Sequence, residues 1–271
     1  MDKRPTTTGA QLDIAMEGAS KVVYFTHDYT SMVGDKNNFL VGAAKLAKKH
    51  GVDSLVAVCP VEHDFAMSES LDKSWVEIRQ EAEQSALQQH KSITLLNTDL
   101  VFSSAPTHML HYIAQKVSQG KINDAFRAKD ANWKPVHADD VAKVVANRLD
   151  NAGHGHFALQ GNTAVSMQEL LHMIERSSGK AEGQTGAEGI DVMKFVHEFV
   201  SGVGVDQNLN NMVAHFAKHP SQAPVSGASI WEAMGSAPEH EVKEFYANSQ
   251  VDHESLAHPS KGDYKMPWLN F

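Results

Sequence analysis

Sixteen histidines in 271 residues raise metal and acid–base chemistry first. His108 and His111 lie three apart, and His215 and His219 four apart, spacings that share a helix face. A zinc site needs three or four converging ligands and a second shell, and neither pair supplies them. The run His240-Glu241-Val242-Lys243-Glu244 misses the second histidine of the metalloprotease signature. These histidines are expected to face solvent, and no metal site is expected. Cys59 is the only cysteine, so an intrachain disulfide is impossible. At the end of an apolar run it reads as an inert thiol. Gly202-Val203-Gly204 begins like a dinucleotide loop, but no strand precedes it and the third glycine is missing.

The elements that carry these residues alternate between strand and helix. Ala10–Ser20 reads as a short helix leading into a buried strand at Val22–Phe25. Lys36–His50 is an amphipathic helix with Phe39, Leu40, Ala43, Ala44 and Ala47 on one stripe, stopped by Gly51. Ser54–Cys59 is a continuous apolar run, as a parallel strand covered on both faces requires. Leu71–His90 is a long polar helix whose Glu77, Glu81 and Glu83 are expected in water. Ile93–Leu96 is a third strand and Thr107–Gln119 a helix. Ala138–Asp150 is a helix capped by Asp139 or Asp140. His156–Leu159 is a strand, and Ser166–Ser178 a helix with Ser166 and Glu169 as a capping box. Strands alternating with helices predict βαβ units and a parallel sheet.

After Lys180 the character changes. Ala181–Gly189 reads as a linker, and Ile190–Val200, Val205–Lys218 and Glu239–Ala247 as short helices, with a turn-rich break at Pro220–Gly227. The expected organisation is a sheet domain over residues 1–180 and a helical extension with a tail over 181–271. The net charge of −9 argues against a nucleic-acid partner. No apolar run reaches the roughly 18 residues of a membrane span, and the first 20 residues lack the apolar core of a secretory signal. Asp2, Asp13 and Glu17 also make them a poor mitochondrial presequence.

The order of segments resembles the extended, atypical short-chain dehydrogenase/reductase family, entered just before its fourth strand. AMEGASKVVYF resembles the lead into that strand, and AAKLAKKHGVDSLVAVC the helix and fifth strand that follow. NTDLVFS at Asn97–Ser103 resembles the family's Arg-Pro-x-x-Val-Tyr-Gly loop, and VHADDVAKVV at Val136–Val145 its His-Val-Asp-Asp-Val-Ala segment. GHGHFALQGNTAVSMQELLHMI resembles the strand and helix near its C-terminal end. Together these cover Ala10 to Lys180. Within the family the nearest likeness is the catalytically silent branch found as an accessory subunit of mitochondrial respiratory complex I. Gly51-Val52-Asp53-Ser54, Thr98-Asp99 and Trp133-Lys134-Pro135-Val136 carry that likeness.

The resemblance implies a chemistry and then withdraws it. Active members carry Tyr-x-x-x-Lys on the long helix: the lysine lowers the tyrosine pKa and holds the ribose, and the tyrosine exchanges a proton while the cofactor moves a hydride. The matching positions here are Trp75 and Arg79. Indole donates a hydrogen bond but is neither acid nor base near neutral pH, and arginine stays charged. The family's Ser or Thr after the fifth strand is Cys59-Pro60, the loop Pro is Thr98 and its Gly is Ser103. Tyr112 and Lys116 fit the spacing but sit on another helix. No catalytic residue is expected.

No Gly-rich phosphate loop precedes Lys21, although such a loop binds the pyrophosphate. The fold class expected is therefore an incomplete doubly wound, Rossmann-like α/β sheet. In the family, strands one to three flank the fourth, so Val22–Phe25 becomes a bare apolar edge that something must cover. The function expected is a non-catalytic accessory subunit of a mitochondrial respiratory assembly, peripheral on the matrix side of the inner membrane, with other subunits as partners. The alternative is an NAD(P)-dependent reductase or epimerase whose phosphate-binding half comes from a partner chain. No cofactor is expected by this chain alone. NADPH shared with a partner would meet Thr26, His27, Cys59 and Arg79.

Overall fold

A computed structural model describes residues 9–26, 39–61, 75–103, 132–177, 179 and 225–248. Five parallel strands form the central sheet, in the order β1 (Lys21–Phe25), β2 (Ser54–Pro60), β3 (Ile93–Thr98), β7 (Gly155–Leu159) and β9 (Ala228–Ser229). Parallel neighbours need crossovers. Helix α1 (Gly9–Met16) leads into β1, α2 (Phe39–Lys49) joins β1 to β2, and α3 (Trp75–Gln89) joins β2 to β3. β2 and β3 are buried at every position, as their unbroken apolar runs require. On one face Leu55, Ala57, Cys59, Ile93 and Leu95 pack on Leu40, Ala43, Ala44 and Ala47 of α2 and Ala82 and Ala86 of α3. On the other, Val56, Val58 and Leu96 meet Val141, Val144 and Val145 of helix α4 (Ala138–Asp150) together with Ile230 and Trp231. The α/β parallel-sheet class is the one the sequence predicts.

Short pairs close the far end: β4 (Val101–Phe102) with β6 (Val136–His137), and β5 (Asn132–Trp133) with β8 (Val165–Ser166). Gly161 lets two of these chains touch: a Cβ there would lie 2.1 Å from the Pro135 carbonyl oxygen. Helix α5 (Met167–Ser177) starts with the predicted capping box. The Ser166 N–H donates to Glu169 at 2.7 Å, and the Glu169 N–H donates to Ser166 Oγ at 3.1 Å.

Three local expectations are corrected. The cap of α4 is His137, whose Nδ1 accepts the Asp139 N–H at 3.2 Å. Asp140 is unavailable for capping because it is buried and accepts the N–H groups of Glu239 and His240, both at 3.1 Å. Residues 225–248, expected within a helical extension, return to the sheet: β9 pairs with β7, and helices α6 (Ile230–Met234) and α7 (Val242–Asn248) follow. The Trp231 indole donates to the Gln160 carbonyl at 2.7 Å and anchors this return. The strand expected to be buried at Val22–Phe25 is half open: Val23 is 37% and Phe25 49% exposed. Among the described residues β1 pairs with β2 alone. The helices expected at Thr107–Gln119, Ile190–Val200 and Val205–Lys218 lie outside the described residues.

The open edge has a measurable consequence. Replacing Phe25→Lys puts a charge where edge strands commonly carry one. It is expected to reduce self-association in light scattering while changing the unfolding free energy by about 1 kcal/mol or less. Unchanged association would show that this edge does not drive it.

Candidate functional site

Doubly wound folds bind ligands outside the carboxyl ends of their strands. At that end Phe25 pairs with Val58, so Thr26 runs beside Cys59. The Thr26 N–H donates to the Val58 carbonyl at 3.0 Å and its hydroxyl to the same oxygen at 3.4 Å. Cys59 is fully buried, with Sγ 3.9 Å from the Ala57 carbonyl oxygen. It sits in the α2/α3 core, where a thiol is inert because reactants do not reach it. Burial first, and the neighbouring Cys59 second, push the Tyr24 hydroxyl above its ordinary pKa. His27 lies outside the described residues. The sheet thus brings Thr26 and Cys59 together.

Trp75 opens α3 and Arg79 follows one turn later. Arg79 is buried, and its Nε donates to Glu83 Oε1 at 2.7 Å. Glu83, expected in water, is therefore part of a buried ion pair. The signal was present in the sequence, because opposite charges four apart on a helix face meet. Polarity alone hid it. Glu83 Oε2 lies 3.5 Å from His156 Nε2 on β7. That nitrogen also touches the Asn97 side-chain amide, which reaches the Ser226 carbonyl and hydroxyl at 3.5 Å each. A polar chain thus runs from α3 through β7 and β3 to the segment entering β9. Burial is the main cause that lowers the His156 pKa; Arg79 adds to it and Glu83 opposes it. The imidazole is held neutral. The arrangement holds Arg79 by its carboxylate partner inside the protein.

A second buried acid lies in the loop that resembles the family's. Asp99 accepts from the Leu100 N–H at 2.7 Å, the Lys134 N–H at 3.0 Å and Gln160 Nε2 at 3.1 Å. It ties the exits of β3 and β7 to the β5–β6 connection. Burial raises its pKa, and the three donors work against that rise.

No family model matches the chain, and no curated protein matches its sequence. Solved structures do match its fold. A nucleoside-diphosphate-sugar epimerase from Staphylococcus aureus is 14% identical, with a TM-score of 0.57 over 88% of this chain and 80% of that one. A UDP-glucuronic acid 4-epimerase variant from Bacillus cereus, in complex with UDP-4-deoxy-4-fluoro-glucuronic acid and NAD, is 13% identical. Its TM-score is 0.57 over 96% of this chain and 81% of that one. A dTDP-glucose 4,6-dehydratase from Streptomyces venezuelae with NAD bound is 12% identical, with a TM-score of 0.54 over 92% of this chain and 80% of that one. The likeness is one of fold alone.

The buried ion pair makes a sharp mutational case. Glu83→Gln leaves the Arg79 guanidinium buried beside a neutral amide and is expected to cost about 3–5 kcal/mol in urea unfolding. Arg79→Met combined with Glu83→Leu should recover most of that loss. His156 adds a pH dependence. Its folded pKa is lowered, so the unfolded chain takes up the proton first; the stability contribution is complete above about pH 6.5 and is lost as pH falls from there through the lowered folded pKa. His137, lowered by burial and by His240, acts in the same direction. Unfolding free energy should therefore fall below about pH 6.5, and His156→Gln should flatten that slope.

Proposed function

We propose that this chain is one part of a dinucleotide-fold assembly in which a second polypeptide pairs with β1 and completes a nucleotide site. The observation that carries the reading is the open edge: an apolar strand with Val23 and Phe25 half exposed and, among the described residues, one neighbour. Proteins rarely leave such an edge to solvent. The solved structures of like fold support an NAD(P)-dependent reductase or epimerase reading more than they support a respiratory subunit. In that reading Thr26 stands at the strand end nearest the shared nucleotide, with His27 following in sequence, while the Cys59 side chain stays in the α2/α3 core. Positions 75 and 79 do not transfer the proton: indole and guanidinium are the wrong groups, and Arg79 is committed to Glu83. Any acid–base group then lies elsewhere in the assembly.

The second reading is a catalytically silent accessory subunit of mitochondrial complex I, held peripherally on the matrix side of the inner membrane. The same two residues favour it, together with the sequence resemblance at Gly51–Ser54, Thr98–Asp99 and Trp133–Val136. In it the fold serves as a docking module for neighbouring subunits. No helix among the described residues is long and apolar enough to cross a membrane, which suits a peripheral subunit.

Purification of the tagged chain with its natural partners separates these readings. Nucleotide released on denaturing the assembly, and none retained by the chain alone, is the expected result. NAD(P)H turnover by the assembly supports the enzyme reading, whereas respiratory subunits in the co-purified set without turnover support the accessory one. Tight one-to-one binding of NADPH by the chain alone would overturn the shared-site proposal.

A further inference from the structure

The geometry points to a divalent-metal site of the zinc class formed by His137, Asp139 and His240, which pins residues 238–248 onto the start of α4. One ligand atom from each residue lies within 4.8 Å of the others. His137 Nδ1 and Asp139 Oδ2 are already 3.6 Å apart. Ligands bound at about 2.0–2.2 Å around a tetrahedral ion stand roughly 3.3–3.5 Å from one another. One pair is thus nearly in place, and closing the third side asks for a movement on the order of 1 Å.

The two residues that must move are free to do so, and the one that must not is fixed. The Asp139 side chain is 78% exposed and that of His240 40%. His137 is buried between Phe102 and Phe245, with ring centroids 5.1 and 5.9 Å away. These rings exclude water from one side, which strengthens charge interactions with a bound ion. The backbone beneath His240 is clamped by Asp140, which accepts the N–H groups of Glu239 and His240. Although His240 Nδ1 lies 3.2 Å from Asp140 Oδ2, it is shielded from water and makes no hydrogen bond among the described residues. A buried imidazole nitrogen without a hydrogen bond is costly, and a metal bond would satisfy it.

Two features oppose the ion, and both are small. The imidazoles of His137 and His240 stack with centroids 4.2 Å apart and planes 24° apart. An imidazole ligates through its in-plane lone pair, so His240 must turn off the stack. The Nδ1 of His137 also accepts the Asp139 N–H at 3.2 Å, a long bond that metal binding would replace. The positive end of α4 disfavours a cation, but Asp139 and Asp140 in its first turn offset it. Two imidazoles and one carboxylate suit zinc, with a fourth position for water. Calcium and magnesium prefer all-oxygen sets.

The test uses the full-length chain in its assembly, stripped with chelator and titrated with Co2+ as a visible probe, then with Zn2+. The site predicts one Co2+ taken up per chain with visible absorption, its displacement by Zn2+, and slower amide exchange over residues 238–248. Asp139→Asn, an exposed change that leaves the packing intact, and His240→Gln should each weaken uptake about tenfold or more. Absent uptake, or uptake that neither variant alters because it rests on other histidines, would overturn the site.

Discussion

A parallel strand offers half of its backbone groups to each side, and this sheet depends on where the outer half of β1 goes. The Thr26 N–H bonds Val58 and Phe25 pairs with that residue. The even-numbered residues of β1 therefore face β2, and the N–H and C=O groups of Val23 and Phe25 point away from it. Those two residues are also the exposed apolar ones. Exposed apolar surface and backbone groups unpaired among the described residues coincide on one edge, and a partnering strand would satisfy both at once. Lys21 is the only charge on the strand, and it is bound to Asp150 of α4 at 2.8 Å, so it guards the edge weakly.

Behind that edge, buried carboxylates do much of the positioning. Asp99 joins three loops through three donors, and Asp140 holds the returning segment through two. Glu83 neutralises Arg79. Each gathers N–H groups or charge that would otherwise be buried without a partner, which is far costlier than an exposed lapse. The consequence for this helix is direct: the guanidinium of Arg79 is held by Glu83 within the protein.

The sheet's interior was legible because both-face burial writes itself as unbroken apolar runs, as in SLVAVC and ITLL. The capping box at Ser166 and Glu169 was legible because its two hydrogen bonds are local. What could not be read was decided at a distance. β9 is two residues long and finds β7 across some seventy positions. Asp140 looked like a cap until the segment at Glu239 claimed it, and His137 took that role. Glu83 looked solvated until its helix was laid against β7. The His137–Asp139–His240 cluster joins residues a hundred positions apart, beyond any local motif. Of the site residues, the proximity of Thr26 and Cys59 followed from strand order, whereas the burial of Arg79 did not.

Amide hydrogen exchange across β1, in the isolated chain and in its native assembly, addresses the central claim at single-residue level. The account predicts that the amides of Tyr24 and Thr26 are protected in both, because β2 holds them. Those of Val23 and Phe25 should exchange rapidly in the isolated chain and become protected in the assembly. Protection of Val23 and Phe25 in the isolated monomer, or rapid exchange of both in the assembly, would contradict it.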